Sequence, residues 1–580
     1  MNLLPQTSSP RISPLRLLFL GLWILLLHWA YCGAWPRPAD DFKNFIFYQG
    51  LGLIALASLL KFPRLVPIPS ILKWLLAAYA GVAVISIFRG AASYEGVLEL
   101  SRLFLWAIGT YALVQLNEKQ WCVLLTLSTV SAALIAVLSL FELHGYSLWQ
   151  RIVHLLPPSM NPIGHFSYYG TFMAAHVPMA VYLLSESKSV SRKILWGIAL
   201  LLTLAGLWIS GTRSSMVGLA GAGFVSTILL IKTRSVSWKK MLGLFTLLLL
   251  ILVVLHKINP QSSRGENTAE RWSKVLTLIK NPSIATLDSV SSGRGYPWIA
   301  SFRMFQARPL LGWGLGGYRF SYPEFDFQYD LHPESSIKIW FMHPHNEILD
   351  QLTELGLLGA ILFFLFWGSL YFKGYQSLCS DQTTEAEKKR ILLGLAGITI
   401  SLGSWMLDTN YQMPLSRLTT AISVAILLGA FSKSELASCL VSPLVKGGLR
   451  GILFFLILIS QILLAGYDAG LYAVARADRA TSHDEKMYWS TKAFQCSPGA
   501  FEALFTYAVT QLNEGDPQKA ERGIQFLYDQ FPRSPLVLYH TARQRLLSGR
   551  REEAIPLLEH SIQNDAHFEG AKNLLCTLQD

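Results

Sequence analysis

The chain has 580 residues, of which 52% are hydrophobic and only 15% are charged, and its mean hydropathy is +0.37. Soluble domains contain on average about a quarter charged residues, so this composition excludes an ordinary soluble protein. Much of the net charge of +12 comes from loops on one side of a membrane, as shown below, and it does not indicate nucleic-acid binding.

Runs of about twenty apolar residues recur through the first 470 positions, and a helix of that length crosses a bilayer. The first run lacks a clean cleavage site and further runs follow at once, so it is a span and not a signal peptide. The predicted fold class is an all-α, polytopic membrane helix bundle of about 12–13 spans, with a large external loop and a C-terminal external helical-repeat domain. Our thirteen predicted spans are residues 15–34, 42–60, 70–88, 99–117, 120–141, 163–184, 193–210, 213–232, 240–256, 346–372, 390–409, 415–432 and 450–471.

Basic residues concentrate in four loops that share one side of the membrane if the thirteen spans alternate. These loops are 185–193, 232–240, 373–390 and 433–450. Because positively charged loops stay in the cytoplasm, we expect a cytoplasmic N-terminus. The loop 142–162, the loop 257–345 and the C-terminal tail are then external.

A tight outer turn, Ser210-Gly211-Thr212-Arg213, lies between the seventh and eighth spans. The free N–H groups and the dipole at a helix amino end favour an anion, and Arg213 adds a forked donor suited to phosphate oxygens. The alternative is an arginine that snorkels to the headgroups. Because a cation at the mouth of a bundle is costly to bury, we favour an anionic ligand.

The external segment from residue 294 to residue 346 is rich in distinctive residues. It opens with Arg294-Gly-Tyr-Pro-Trp298 and continues with the glycine-rich run 312–318. No βαβ unit surrounds the run, so it predicts a tight turn between helices and not a dinucleotide site. The aromatic residues are candidates to stack on sugar faces, or alternatively members of the interfacial belt; they are Trp298, Trp313, Tyr318, Tyr322 and Trp340.

The segment closes with His343-Pro344-His345-Asn346, at the entry to a long apolar helix. A histidine pair at a membrane surface suits proton transfer, because the unperturbed pKa of imidazole lies near neutrality. The alternative is an ordinary helix entry with Asn346 as the N-cap.

Three acidic residues follow on one face of that helix, at spacings of three and four: Glu347, Asp350 and Glu354. Acids on one stripe of a membrane helix are expected to face the bundle interior or a wet cavity, where they position the histidine or pair with the arginines. Favourable first-turn acids would account for Glu347 and Asp350 but not for Glu354.

Six cysteines are scattered along the chain without the spacing of a zinc or redox motif. Cys496 and Cys576 share the tail, and we expect free, buried thiols there, although pairing stays open. We predict no metal ion and no cofactor.

Beyond about residue 475 the hydropathy falls and a repeat appears. Gly515 and Gly549, like Ala520 and Ala554, are 34 residues apart, which resembles the tetratricopeptide repeat. We therefore divide the chain into a membrane domain, 1–474, and a helical-repeat domain, 475–580. The repeat surface is either a groove for a partner or acceptor or a solubilising appendage.

Together these motifs resemble the O-antigen ligase family, which includes O-antigen ligases, O-antigen polymerases and protein O-oligosaccharyltransferases. The resemblance covers the membrane part to about residue 432 and is strongest from Arg294 to Gly356, where Arg-x3-Trp, Pro-x2-Gly-x-Gly-x-Gly, His-Pro-His-Asn and Glu-Leu-Gly follow one another. Arg213 matches the family's arginine after span seven. The family often has twelve spans, and a thirteenth that places the tail outside resembles the protein-glycosylating branch and some polymerases.

The resemblance implies transfer of a glycan from undecaprenyl diphosphate to an acceptor hydroxyl, with inversion, on the periplasmic face of the bacterial inner membrane. It implies His345, the histidine directly before asparagine, as the base. Arg213 and Arg294 would bind the diphosphate in place of a metal ion. The other residues predicted to bind substrate are His343, Asn346, Glu347, Asp350, Trp298 and Tyr318.

The acceptor is left open between lipid A-core, a growing glycan and a protein; membrane lipids are partners and nucleic acid is not. A transporter for the lipid-linked sugar is the rival class. It would need charges along a path through the membrane and matching halves, whereas the residues singled out here concentrate at the outer mouth. A purely structural scaffold leaves Arg213 and the histidine pair unexplained, so we predict a glycosyltransferase.

Overall fold

The structure is a computed structural model. It describes residues 14–31, 40–61, 68–90, 92–143, 161–233, 274, 276–291, 293–325, 342–431, 443–565 and 568–579. Every regular element in these residues is a helix, which confirms the all-α prediction.

Nine helices in the described residues are long and apolar enough to cross a membrane, so the chain is a multi-pass membrane protein. The helices of the membrane part are α1 (Pro14–Trp29), α2 (Asp41–Lys61), α3 (Ser70–Arg89), α4 (Ser93–Val114), α5 (Glu118–Leu143), α6 (Phe166–Glu186), α7 (Val190–Ser210), α8 (Arg213–Lys232), α13 (Gly356–Cys379), α14 (Glu385–Trp405), α15 (Pro414–Phe431) and α16 (Pro443–Asp478). The predicted span 240–256 and Trp340 lie outside the described residues.

Short helices connect α8 to α13 at one end of the bundle. They are α9 (Ile284–Ser291), α10 (Gly295–Ala307), α11 (Tyr318–Ser321), a 3-10 helix (Tyr322–Glu324) and α12 (Glu347–Glu354). A second 3-10 helix, Thr409–Gln412, joins α14 to α15. The predicted span 346–372 is therefore two helices, α12 and α13. The chain breaks at Gly356, where φ is +65° and a Cβ atom would lie 2.4 Å from the Leu310 carbonyl carbon.

The bundle is centred on α15, because 89% of the apolar window of this helix is buried. It packs against α2, α4, α6 and α14. Residues 408–412 lie immediately before α15, at one end of the bundle. Because α15 is packed on several sides, the position of these residues is also constrained.

Ion pairs show which helix ends lie together. Lys389 of α14 contacts Glu186 at the end of α6, with 2.6 Å between Nζ and Oε1. Arg390 contacts Glu118 at the start of α5 at 3.0 Å. The ends of α6 and α14 adjoin basic loops, and alternating spans place the start of α5 on the same side of the membrane, which agrees with these contacts. Which end faces the cytoplasm stays a prediction from loop charge.

Six further helices of 11 to 14 residues form the tail, and each packs against the next in chain order. They are α17 (His483–Cys496), α18 (Phe501–Glu514), α19 (Pro517–Gln530), α20 (Pro535–Leu547), α21 (Arg551–Asn564) and α22 (Glu569–Gln579). Ala520 and Ala554 occupy equivalent first-turn positions and are both fully buried. The tetratricopeptide assignment itself stays a prediction.

Two details of the tail differ from expectation. Helix α16 runs through residue 475 without a break and ends at Asp478, so the polypeptide leaves the bundle as a continuous helix. Cys496 and Cys576 are free, as expected, but both are exposed. They lie on helix faces that the neighbouring tail helices leave uncovered.

The tail is docked on the loop end of the bundle by charge and by apolar contact. Arg319 of α11 contacts Glu95 at 2.8 Å and also pairs with Glu502 of α18. The Glu95 carboxylate additionally accepts the Phe501 backbone N–H at 3.3 Å. Beside this cluster, Phe320 packs against buried tail side chains that include Phe531. The loop, the α3–α4 turn and the tail therefore form one packed unit.

Replacing Arg319 by Met should loosen the tail, because two largely buried carboxylates lose their partner. Removing one member of a buried ion pair costs on the order of 3 kcal/mol. The measurement is thermal unfolding together with limited proteolysis of the purified chain, with faster release of a tail fragment expected.

The matched control is Arg476→Met, which removes an ion pair to Glu485 whose arginine is 41% exposed and should change stability by less than about 1 kcal/mol. Equal behaviour of the two variants would contradict the docking role of Arg319.

Candidate active site

Arg213 is the first residue of α8, after a turn whose glycine has φ 59°. The preceding Thr212 donates its hydroxyl to the Phe166 carbonyl at 3.0 Å, which ties this turn to the start of α6. Ser167, in the same first turn of α6, hydrogen-bonds the carboxylate of Asp408. The predicted anion-binding turn thus lies next to the residues that precede α15.

The glycine-rich run forms a tight turn packed between helices, as predicted. Gly312, Gly314 and Gly316 all have positive φ values, of 65°, 97° and 72°. The Glu354 carboxylate accepts the backbone N–H groups of Gly316 at 2.9 Å and of Tyr318 at 3.3 Å. Glu354, the acid that first-turn electrostatics left unexplained, therefore holds the turn against α12.

His345 is the one non-glycine residue with positive φ, 54°, in the part of the chain that the structure describes. A non-glycine residue in the left-handed region is strained, and such strain clusters at functional sites. Asn346 follows as the N-cap of α12 and accepts the Leu349 N–H at 3.1 Å. The cap fixes the helix start, and the left-handed residue before it turns the imidazole towards α15.

The imidazole of His345 faces the carboxylate of Asp408, with 3.2 Å between Nδ1 and Oδ1. The other oxygen of Asp408 accepts from Arg294 Nη2 at 2.9 Å, and Arg294 Nη1 donates to the Leu407 carbonyl at 2.6 Å. Burial alone would raise the pKa of Asp408, but the hydrogen bond from His345 and the charge of Arg294 outweigh it, and the pKa lies well below its usual range. Asp408 is therefore an anion that His345 and Arg294 share.

A carboxylate only accepts hydrogen bonds, so Nδ1 of His345 carries the proton of this contact, and in the neutral form of the ring Nε2 is the nitrogen with the free lone pair. The side chain of His345 is 30% exposed, whereas that of Asp408 is 4% exposed. A buried acid that orients a partly exposed histidine leaves the outward nitrogen available as a base.

His343 lies in a different environment. Its ring stacks on Tyr318 at 14° with 6.5 Å between centroids, and its Nδ1 contacts the Gln412 amide at 2.8 Å. Asp350 is 3.4 Å from the same nitrogen. Burial, and then the negative charge of Glu99, raise the pKa of Asp350 to about 8, so near neutral pH this acid holds its proton. His343 is a packed, hydrogen-bonded neighbour of the site.

The three acids of α12 are buried, as expected for the inward face. Glu347 accepts from Gln351 at 2.8 Å, and Gln351 accepts from the Tyr79 hydroxyl at 2.8 Å. This chain of contacts ties α12 to α3. Among the residues that the structure describes, Glu347 contacts Gln351 and Asp350 contacts His343, and neither acid pairs with the two predicted diphosphate arginines.

Two aromatic residues predicted to contact substrate have different surroundings. Tyr318 is fully buried, and its ring packs against His343 instead of offering a face to a sugar. Trp298 is half-buried, lies one turn after Arg294 on α10, and its Nε1–H is buried without a hydrogen-bond partner in the described residues. A buried donor without a partner calls for an acceptor oxygen from a ligand or a water molecule.

Asp408 and Arg417 were missed by the sequence reasoning. Asp408 fell at the end of a predicted span, where an acid beside Thr409 and Asn410 was the available signal. Arg417, 4% exposed, donates to the Tyr411 carbonyl at 2.9 Å, lies 3.6 Å from Glu99 and is within reach of the Tyr48 hydroxyl. It fixes the backbone between Asp408 and α15.

Replacing Gly312 by Ala should destabilise the turn, because φ is +65° and a Cβ atom would lie 2.5 Å from the Glu354 carbonyl. Gly293→Ala is the matched control, since φ is +83° but nothing lies within 4 Å of its Cβ position. Left-handed strain alone costs roughly 1–2 kcal/mol, so the lowering of the melting temperature should be clearly larger for Gly312→Ala. Equal shifts would show that the close approach to α12 does not matter.

Part of the chain is similar to a known protein family. No curated protein sequence matches the chain. A family model described as O-antigen ligase matches residues 198–364, which run from α7 into α13; Asp408 and the whole tail lie outside this range. The region that matches the O-antigen ligase family is the one that carries Arg213, Arg294 and His345.

Proposed function

We propose that the protein transfers a glycan from undecaprenyl diphosphate to an acceptor hydroxyl, with inversion and without a metal ion, as an O-antigen ligase-type glycosyltransferase. The observation that carries this proposal is the Asp408 carboxylate shared by His345 and Arg294. The Asp408 carboxylate orients the imidazole of His345, which is the proposed base, and holds the guanidinium of Arg294 beside it. This arrangement suits a reaction that removes a proton from one substrate and releases a diphosphate from the other.

The acceptor hydroxyl gives its proton to Nε2 of His345 while its oxygen attacks the anomeric carbon. The bond from that carbon to the diphosphate oxygen breaks, and undecaprenyl diphosphate leaves with the electron pair. Asp408 stabilises the imidazolium that forms, because its own carboxyl stays ionised. Attack opposite the leaving group inverts the anomeric configuration.

The diphosphate is assigned to Arg213, Arg294 and Trp298. Arg294 uses two of its five N–H donors on Leu407 and Asp408, which leaves further donors for phosphate oxygens. The unpartnered indole N–H of Trp298 supplies a neutral donor one turn away. Asn346, Glu347, Asp350, His343 and Tyr318 act as positioning residues around this centre.

We assign the site and the tail to the periplasmic face of the bacterial inner membrane, from the charge of the opposite loops. Arg319 ties the tail to the loop end of the bundle, so both share a face whatever the orientation. A transporter is less well supported, because the charged contacts of Asp408 lie at one end of the bundle instead of along a path through it.

His345→Ala should lower the transfer rate by at least about 100-fold, the usual contribution of a general base. Asp408→Asn should cause a comparable loss of transfer, because a carboxamide cannot stabilise the imidazolium. The measurement is single-turnover transfer from a purified lipid-linked donor, with thermal unfolding as the folding check. His560→Ala, an exposed tail histidine, should keep full activity, and full activity of His345→Ala would exclude it as the base.

The same variants in a deletion strain identify the acceptor. Lost surface glycan with intact lipid-linked polymer indicates a ligase. Surface molecules capped by a single repeat unit indicate a polymerase, and lost glycoprotein indicates an oligosaccharyltransferase.

Arg294→Lys should weaken donor use by about tenfold or more, because lysine keeps the charge but loses the fork that reaches Asp408 and Leu407 together. Arg213→Lys should behave similarly. Arg303→Lys, on the exposed face of the same helix, is the control and should be neutral. Activity should also survive EDTA, and a divalent-ion requirement restored by add-back would overturn the metal-independent mechanism.

A further inference from the structure

A cavity of about 350 Å³ opens where the tail meets the loop end of the bundle. Its lining includes Arg89 at the end of α3, Arg308 at the end of α10, Arg533 after α19, and Trp313 of the glycine-rich turn. We call these four residues the basic notch. Three separate parts of the chain each contribute an arginine to it, and the tail forms one of its walls.

One loop arginine and one tail arginine lie over the same aromatic ring. The guanidinium carbon of Arg308 lies 4.1 Å from the Trp313 ring centroid, and that of Arg533 lies 5.5 Å from it. The two charges are therefore at most about 10 Å apart, a separation at which like charges still repel at physiological salt. Burial, then the charges of Arg533 and Arg89, lower the pKa of Arg308.

Two carboxylates lie nearby and only partly offset this charge. Glu324 pairs with Arg533. Asp529 lines the cavity and accepts from Gln525 at 2.8 Å. Arg89 and Arg308 have no carboxylate within ion-pairing distance in the described residues. The notch therefore keeps an excess of positive charge, and its forked donors match phosphate oxygens.

The notch is separate from the candidate active site. Arg294 precedes α10 and Arg308 follows it, and thirteen helical residues at 1.5 Å each span roughly 20 Å. Arg89 ends a membrane-spanning helix, which puts the notch at the level of lipid headgroups. The phosphate of a membrane-anchored molecule would therefore lie at the right depth to reach the notch.

We propose that the basic notch binds a phosphate group carried by a membrane-anchored molecule, at a site distinct from the one that holds the donor diphosphate. The phosphate sits among Arg89, Arg308 and Arg533. Two sources share this chemistry: a phosphorylated glycan acceptor and a phospholipid headgroup. Assigning the phosphate to an acceptor rests on the proposed function, whereas the binding itself does not.

The test measures how tightly the full chain binds a sugar phosphate and an anionic lipid when no lipid-linked donor is present. Glucose 6-phosphate is titrated against the chain in phosphatidylcholine nanodiscs, with glucose as the uncharged control. Retention of phosphatidylglycerol against phosphatidylcholine is followed by native mass spectrometry from detergent. The variants are Arg89→Gln, a single change at an exposed arginine, and the double change Arg308→Gln with Arg533→Gln.

The matched control is Arg543→Gln, a tail arginine that also lies over an aromatic ring, at 5.8 Å from Tyr539. Loss of one charge-assisted contact should weaken phosphate binding at least about tenfold, with Arg543→Gln unchanged. Weakened sugar-phosphate binding identifies the acceptor as the source, and weakened phosphatidylglycerol retention alone identifies the headgroup. If neither probe binds, or neither notch variant changes binding, the proposal is overturned.

His345→Ala should leave all of these binding values unchanged. If the wild-type chain binds phosphate at the notch but transfers no glycan, the proposed function fails and the notch proposal stands. If the wild-type chain transfers glycan but binds neither probe, the proposed function stands and the notch proposal fails.

Discussion

The carboxylate of Asp408 is the point on which the candidate site depends. It lies in the short stretch between α14 and α15, is 4% exposed, and contacts both His345 and Arg294. A buried anion is tolerated only when its partners are close and well oriented, so the three side chains constrain one another. Removing any one of them leaves a charge or a donor without its partner.

Several elements serve to keep that carboxylate in place. Helix α15 is the most enclosed of the candidate spans, and Arg417 ties its start to the Tyr411 carbonyl and to α4 through Glu99. On the other side, Glu354 holds the glycine-rich turn against α12. The histidine pair thus lies between two packed supports, and such support is what the proton transfer that we propose for His345 would need.

The tail packs against the same end of the bundle as the candidate site. Arg319 lies between carboxylates from α4 and α18, and Phe320 packs into the apolar core of the tail. Because Arg533 of the tail and Arg308 of the loop meet over Trp313, the tail helices add charge to the surface near the bundle end. This contact supports our proposal that the tail helps to bind a phosphate group there.

The sequence by itself determined the all-α, multi-pass membrane class, the tight turn before Arg213 and the glycine-rich turn, and it singled out the candidate-site histidines and arginines, because apolar length, glycine and local motifs are properties of neighbouring residues. It did not reveal that Asp408 contacts both His345 and Arg294, since Asp408 is 63 positions from His345 and 114 positions from Arg294 in the chain. It also read α12 and α13 as one span, because the break at Gly356 arises from packing on the Leu310 backbone. Which charges share a site was decided by the tertiary structure, since only the packing of distant helices sets the distances on which electrostatic contacts depend.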